Sequence, residues 1–336
     1  MKSKHGNITR YDFLNSCLTA MLPGITPMLI FVFVSVFPVL THLATDRLNY
    51  KLLFFSQSSV SIYFTYAVLL AAGICTAFLQ FRFISSKKQM NVVLSCGLTR
   101  RQLYNNRICA SSAVMFLSVF IPFTITFFVN MRYAGIEGYT IKTYLLYIIS
   151  TFVVMFIGFA VGTLTSISNY TFTESAVSTG VLLFFPYALT LFVCLCVRIF
   201  LKGYFIKEID FTFDDLPQKI FYLNPLNLLS EGTGDSEDNV WCSRAKISAK
   251  LFADDADYAK AAQTFSPSDY LVFAAWILVC AVLLFLAYRI FKKYKAEKCG
   301  LFRGSGVTAV VITSFFTMAA AGAGIVLGTC IGDSSY

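Results

Sequence analysis

Seven long runs of apolar residues, none with an Asp, Glu, Lys, Arg or His, dominate this chain and decide what it can fold into. A helix that crosses the hydrocarbon core of a membrane needs about 20 apolar residues. In lipid, backbone N–H and C=O groups find partners only within their own helix, so each run is expected to be α-helical. The runs are Met21–Leu40, Ser59–Phe81, Ile108–Val129, Tyr144–Ile167, Ala176–Val197, Tyr270–Leu286 and Val307–Cys330.

The low content of charged residues argues against a soluble globular fold. Charged residues make up 13% of the chain and hydrophobic residues 57%, whereas globular domains carry about 25% charged residues. A soluble protein would need a very large core to cover seven such runs. The first run is too long for the apolar part of a signal peptide, which has about 7–15 residues, so it is expected to stay in the protein. The predicted fold class is an all-α, polytopic membrane protein.

The distribution of lysine and arginine predicts the orientation of the chain. Cytoplasmic loops are enriched in these residues, and a cytoplasmic N-terminus gives the inner loops 15 of the 27 basic residues and 3 of the 18 acidic ones. Because the basic residues are divided among loops beside the membrane, the net charge of +9 indicates topology, and no nucleic-acid partner is expected. The predicted organisation is a cytoplasmic segment at 1–20, spans one to five at 21–200, an extracellular loop at 201–269, span six at 270–291, a cytoplasmic basic linker at 292–306 and span seven at 307–330.

The absence of Asp, Glu, Lys, Arg and His from the seven runs disfavours several functions. Ion-driven carriers and voltage sensors use charged side chains at membrane depth, and an intramembrane protease needs catalytic groups there. The chain has no GxxxxGK[ST] phosphate loop, and its two histidines and ten scattered cysteines favour neither a metal site nor a disulfide framework. We therefore predict no catalytic residue, metal or cofactor in this chain, and expect the energy for any work to come from a partner.

One connecting segment, Ser85–Arg107, lies between the second and third runs and carries basic residues but no acidic one. Its sequence predicts a short helix, a break and a second helix. Gly97 can end the first helix, and the spacing from Thr99 to Gln102 is that of a capping box that starts the second. We call this region the basic segment. Its basic residues are Lys87, Lys88, Arg100, Arg101 and Arg107.

The first helix of the basic segment, predicted within residues 85–98, carries one apolar stripe on an otherwise polar surface. Two resting places are compatible with this stripe. It can lie on the lipid headgroups, with Lys87 and Lys88 meeting anionic lipid, or it can dock into a groove on a soluble partner. The stripe residues, at i, i+3, i+4 and i+7, are Met90, Val93, Leu94 and Gly97.

Two runs carry glycine pairs at the spacing that allows membrane helices to approach closely. Gly158 and Gly162 form such a pair in the fourth run, and Gly324 and Gly328 form one in the seventh. These four glycines are the predicted helix-packing positions.

The order of these features resembles the membrane subunits of ABC transporters of the ABC-2 exporter type. In that family a cytoplasmic coupling helix joins spans two and three, and a long extracellular segment joins spans five and six. The similarity is greater to one Gram-positive bacterial branch. The matching motifs are Ser85 to Lys88 after span two, Cys96 and Gly97 before the pair Arg100 and Arg101, Asn224 and Pro225 before span six, and Glu297 with Gly300 after it.

This resemblance implies a six-span ABC-2-type core plus a seventh span, in a multi-pass protein of the plasma membrane. It implies a permease subunit that pairs with a second permease subunit, identical or not, and exports a substrate. A separate ABC ATPase subunit would bind ATP and Mg²⁺. Relatives usually continue well past span seven, so the end at Tyr336 implies a shortened member. The residues assigned to the coupling helix, which would meet the ATPase or the membrane lipid, are Lys87, Lys88, Met90, Val93, Leu94, Gly97, Arg100 and Arg101.

A second function is compatible with the sequence. The chain could be a non-transporting membrane sensor or immunity protein that binds an extracellular ligand through residues 201–269 and signals through the basic segment. A gene for an ATPase beside the gene of this chain would favour the transporter. The other common type of ABC permease has a large outside domain between its first two core spans, and the loop Thr41–Val60 is too short for that.

Overall fold

The computed structural model describes residues 2–31, 59–95, 97–133, 141–169, 171–200, 267–293, 312–318 and 320–321. Nearly all of them are helical and none of these described residues lies in a strand, which confirms the all-α class for this part of the chain. A 3₁₀ turn, Arg82–Ser85, follows the helix Ser59–Phe81 and precedes the helix Lys87–Ser95. The helices are α1 Lys2–Phe31, α2 Ser59–Phe81, α3 Lys87–Ser95, α4 Arg100–Tyr133, α5 Ile141–Ser168, α6 Phe172–Phe200 and α7 Pro267–Lys293.

Among the residues that the structure describes, three stretches of helix are long and apolar enough to cross a membrane, which indicates a membrane protein. They are Ala67–Ser85, Thr151–Ser168 and Ala274–Lys293, and α6 contains a shorter apolar stretch, Phe172–Phe185. Several predicted regions lie outside the described residues. These regions are 32–40 of the first run, 201–266 of the predicted extracellular loop, the linker from 294 onward, and most of the seventh run with Gly324 and Gly328.

The long helices alternate in direction. Side-chain contacts bring the starts of α1 and α4 to the same end of the bundle as the last turns of α2 and α7. The last turn of α5 and the first turns of α6 are joined by hydrogen bonds as well, including one of 2.6 Å between the hydroxyls of Thr165 and Thr179. We call the end where α2, α3, α4 and α7 meet the basic end, because the basic segment lies there.

Helices α2 and α5 touch through their backbones. A Cβ atom at Gly158 of α5 would lie 2.4 Å from the carbonyl oxygen of Leu70, and one at Gly162 would lie 2.9 Å from the Cβ of Ala77. From the α2 side, a Cβ at Gly73 would lie 2.1 Å from a carbonyl oxygen of α5. Since real Cβ atoms essentially never come within 3.0 Å of such atoms, the contact exists only because glycine stands at these positions. The structure thus places the predicted pair of the fourth run in a helix-packing contact.

Helix α5 lies at the centre of the bundle, and α7 lies at its edge. Of the apolar stretch in α5, 83% is buried inside the molecule, compared with 17% of the stretch in α7. The core around α5 contains aliphatic, aromatic and sulfur-containing side chains from five helices, among them Leu69, Met115, Met155, Phe159 and Cys280. The exposed face of α7 is apolar, which suits contact with lipid or with another membrane helix.

Helix α1 turns its small residues inward and its large apolar residues outward. Ser16 and Ala20 are buried, as is Gly24, where a Cβ would approach the side chain of Val114 in α4. This inversion suits a helix in lipid, where outward apolar side chains have no cost. The exposed side chains are Tyr11, Leu14, Leu18, Met21, Leu22, Ile25 and Leu29.

Candidate functional site

The basic segment folds as its sequence predicts. Helix α3 begins where the N–H of Met90 donates to the carbonyl of Ser86, at 2.9 Å, and it ends at Ser95. Gly97 has a φ of 76°, a left-handed conformation that costs glycine little and other residues more. This turn redirects the chain into α4.

A capping box starts α4. The N–H of Thr99 donates to Oε1 of Gln102 at 3.1 Å, and the N–H of Gln102 donates to Oγ1 of Thr99 at 3.3 Å. These two bonds satisfy amide groups that have no partner within the helix. The predicted capping box is confirmed, and with it the sharp division of the segment into two helices.

We expect Thr99→Ala to lower the free energy of unfolding by about 1 kcal/mol, because the N-cap acceptor is lost. Thermal unfolding of the purified protein in detergent measures this change. Arg101→Ala is the matched control, since Arg101 lies in the same turn with an exposed side chain. Equal unfolding temperatures for the two variants would show that the capping box does not stabilise α4.

Helix α3 rests on an aromatic core formed by the chain itself. Met90 is 0% exposed, and Val93 and Leu94 are half-buried against the same cluster. The rings of Phe83 and Phe291 meet edge to face with centroids 6.3 Å apart. We call this cluster the basic-end core. Its buried members are Phe81, Phe83, Ile84, Met90, Leu98, Leu103, Tyr104, Ile167, Ala287 and Phe291.

The apolar stripe of α3 therefore has a resting place other than the two predicted. Met90 points into the basic-end core and leaves no surface for lipid or for a partner. The outer face of α3 is polar and basic, with exposed Lys87, Lys88 and Asn91, and it has one apolar side chain, Val92, that is 63% exposed. The most exposed side chains of α3 in this conformation therefore lie on that outer face.

Two of the five basic residues are used inside the molecule to cap helices. Arg100 donates from Nη1 to the carbonyl oxygen of Lys292 at 2.7 Å, and Arg107 donates from Nη1 to the carbonyl oxygen of Gln80. These carbonyls belong to the last turns of α7 and α2, where the helix dipole favours positive charge. Two arginines of α4 thus bind the C-terminal ends of two other helices. The side chains of Lys87, Lys88 and Arg101 remain exposed.

Arg107 lies in a largely buried polar cluster. Its guanidinium is 3.8 Å from the carboxylate of Asp12 in α1 and 4.3 Å from the centre of the Phe83 ring. The two charged side chains are 12% and 14% exposed. Burial lowers the pKa of Arg107 and the charge of Asp12 raises it, but an arginine stays protonated at neutral pH. The cluster therefore places opposite charges of α1 and α4 next to each other.

Neighbouring polar side chains extend this cluster. Asn106 donates from Nδ2 to the carbonyl of Thr9 at 3.3 Å and contacts Oδ2 of Asp12 at 3.4 Å. Gln80 of α2 donates from Nε2 to the carbonyl of Ser16 at 2.6 Å. Helix α1 is thus joined by directional bonds to both α2 and α4.

Tyr104 joins α4 to α7. Its hydroxyl donates to the carbonyl of Leu284 at 2.6 Å, and its ring lies 5.4 Å from that of Tyr288. Burial raises the pKa of Tyr104 above its ordinary value, so the phenol stays neutral and remains a hydrogen-bond donor. Together with Arg100, it fixes the end of α7 against the start of the α4 helix.

Several of these positions were missed by the sequence reasoning. Asp12 is the only acidic residue of the predicted N-terminal segment, and Gln80 is a polar residue at the end of an apolar run. Both are signals of a buried polar contact. Gly73 and Ala77 have the same four-residue spacing as the glycine pairs, so a search for any two small residues would have found them.

No group of three metal-ligating side chains occurs among the residues that the structure describes. The basic end presents an exposed basic surface on α3 and α4, and arginines of α4 cap the ends of α2 and α7. Comparison with models of known protein families gives no match, and comparison with curated proteins gives no significant relative.

Proposed function

We propose that this chain is the permease subunit of an ATP-driven exporter of the ABC-2 type. It would lie in the plasma membrane with a cytoplasmic N-terminus and cross the membrane seven times. A separate ABC ATPase would bind ATP and Mg²⁺ and would act on the basic segment. A second permease subunit, the same chain or a sister chain, would complete the transport pathway.

One observation carries this proposal. Helix α3 is a nine-residue helix between two long apolar helices. It packs against the basic-end core through Met90, Val93 and Leu94. A helix that is packed in this way transmits a displacement to the helices it contacts, because packed interiors deform little. This is what coupling to an external ATPase requires, and the lack of charged groups in the apolar runs supports a partner as the source of energy.

Because Met90 is buried, the proposal assigns the contact with the ATPase to other residues of α3. We propose that the outer face of α3 docks on the ATPase. Val92 would enter a small apolar recess of the ATPase, and the surrounding cations Lys87, Lys88 and Arg101 would meet its acidic side chains. Met90, on the opposite face of α3, would transmit the displacement of α3 to the basic-end core. Val93 and Leu94 would support it at the edge.

We expect Lys88→Glu to reduce the amount of ABC ATPase that co-purifies with the tagged chain at least about tenfold, since a reversed charge would face acidic groups across the interface. The measurement is pull-down from native cells, with the ATPase identified by mass spectrometry and by ATP hydrolysis. Arg10→Glu is the matched control, because Arg10 is an exposed basic residue on α1.

The proposal has clear contrary outcomes. If wild-type chain in its native membrane carries no ABC ATPase, the chain is not a permease subunit of this type. If the ATPase is retained equally by Lys88→Glu and Arg10→Glu, the outer face of α3 is not the docking surface.

A further inference from the structure

Arg107, the last residue of the basic segment, joins α4 to α1 and to the turn before α3. The guanidinium contacts the carboxylate of Asp12 in α1 and stacks on Phe83 in the turn before α3. Phe83 belongs to the same buried cluster as Met90. A continuous set of contacts therefore runs from α3 through Phe83 and Arg107 to α1.

From this arrangement we infer that Asp12 and Arg107 are positioning residues that make α1 follow any displacement of α3. The inference uses only contacts within the chain and does not depend on the proposed function. If that function is correct, it makes α1 part of the moving unit of the transporter, together with the helices that flank α3.

The physical reason is the difference between apolar and ionic contacts inside the molecule. Apolar contacts are non-directional, so α1 can shift against its neighbours without losing all of these contacts at once. A buried ion pair is different, because separation leaves an uncompensated charge in a region of low dielectric constant. The side chains of Asp12 and Arg107 are 14% and 12% exposed, so little water is available to replace either partner.

Neighbouring side chains also hold α1 in place beside α2 and α4. The carboxylate of Asp12 is contacted by Asn106 as well as by Arg107, and Gln80 holds the carbonyl of Ser16 one turn further along α1. These bonds span two turns of α1 on the side that faces α2 and α4. A shift of the turn at Phe83 therefore pulls on α1 through several bonds at once.

Hydrogen–deuterium exchange of the full chain in detergent micelles, without an ATPase, tests the inference. Met90→Ala loosens α3 by removing most of a buried side chain. We expect this change to speed exchange in residues 9–16 of α1 about fivefold, as a local loss of about 1 kcal/mol would do. In an Asp12→Asn background, exchange at residues 9–16 is already fast, and Met90→Ala adds nothing.

Three further variants make the test specific. Asp12→Glu keeps the charge and should preserve the response of α1 to Met90→Ala. Asn15→Ala changes an exposed side chain on the same helix and should also preserve it, while the near-isosteric Met90→Leu should leave α1 unchanged. If Met90→Ala does not yield folded protein, Val93→Ala is the milder change.

The inference is overturned if loosening α3 speeds exchange in α3 alone, or if the response of α1 is the same with and without the Asp12 charge. A pull-down that finds no ATPase contradicts the proposed function and leaves this result unaffected. The two ideas can therefore fail separately.

Discussion

Gly158→Leu should leave almost no folded protein, and Gly158→Ala should already lower the free energy of unfolding by about 3 kcal/mol, the upper end of the usual cost of overpacking. A Cβ at this position would lie 2.4 Å from the carbonyl oxygen of Leu70 and 3.2 Å from its carbonyl carbon. Both atoms are backbone atoms, so no side chain can rotate away. Helices α2 and α5 would have to separate, and the apolar stretch of α5 is the most buried of the three candidate spans among the described residues.

The measurement is the yield of monodisperse protein on size-exclusion chromatography, followed by thermal unfolding in the same detergent. Gly180→Ala is the matched control, since a Cβ at that helical position would meet nothing within 4 Å. Because alanine is a better helix former than glycine by about 1 kcal/mol, this control should be as stable as the wild type or slightly more so. Similar losses for both variants would show that the close approach of α2 and α5 is absent in solution.

Features that depend on short stretches of sequence were predictable. The second run and α2 have the same bounds, Ser59–Phe81, because an uninterrupted apolar run in lipid leaves the backbone no alternative to a helix. The break at Gly97 and the capping box at Thr99 also follow from local backbone geometry and from a hydrogen bond across three residues.

The surroundings of α3 were not predictable from periodicity. The spacing of Met90, Val93 and Leu94 identifies which side chains share a face, and it contains no information on what covers that face. The answer comes from residues far away in the chain, such as Phe291 and Ala287 of α7. A stripe that was compatible with lipid or with a partner is in the structure part of an internal core.

The roles of the arginines were hidden for the same reason. Arg100 binds a carbonyl 192 positions away and Arg107 one 27 positions away, and a row of basic residues looks the same whether it caps helices or faces a partner. Helix ends always leave carbonyls without an intrahelical partner. A basic segment that must lie beside the ends of α2 and α7 therefore has an internal use for some of its charge, and only the rest is available for recognition.

The orientation of α3 leads us to expect very different effects of an aspartate on its buried face and on its exposed face. Met90→Asp should lower the free energy of unfolding by about 3–5 kcal/mol, as an uncompensated buried charge does, because Met90 is 0% exposed among aromatic side chains. Val92→Asp, two positions further on the exposed side, should change it by about 0.5 kcal/mol or less. Thermal unfolding and size-exclusion profiles of the two variants measure the difference.

The same pair of variants separates stability from recognition. Val92→Asp folds and should lose the ATPase, because the new carboxylate repels the acidic groups that the proposal places opposite Lys87 and Lys88. If Met90→Asp instead folds normally and loses the ATPase, the apolar stripe is the docking face and α3 is turned by about half a rotation from the orientation described. If both variants fold and both keep the ATPase, α3 is not the point at which the partner acts.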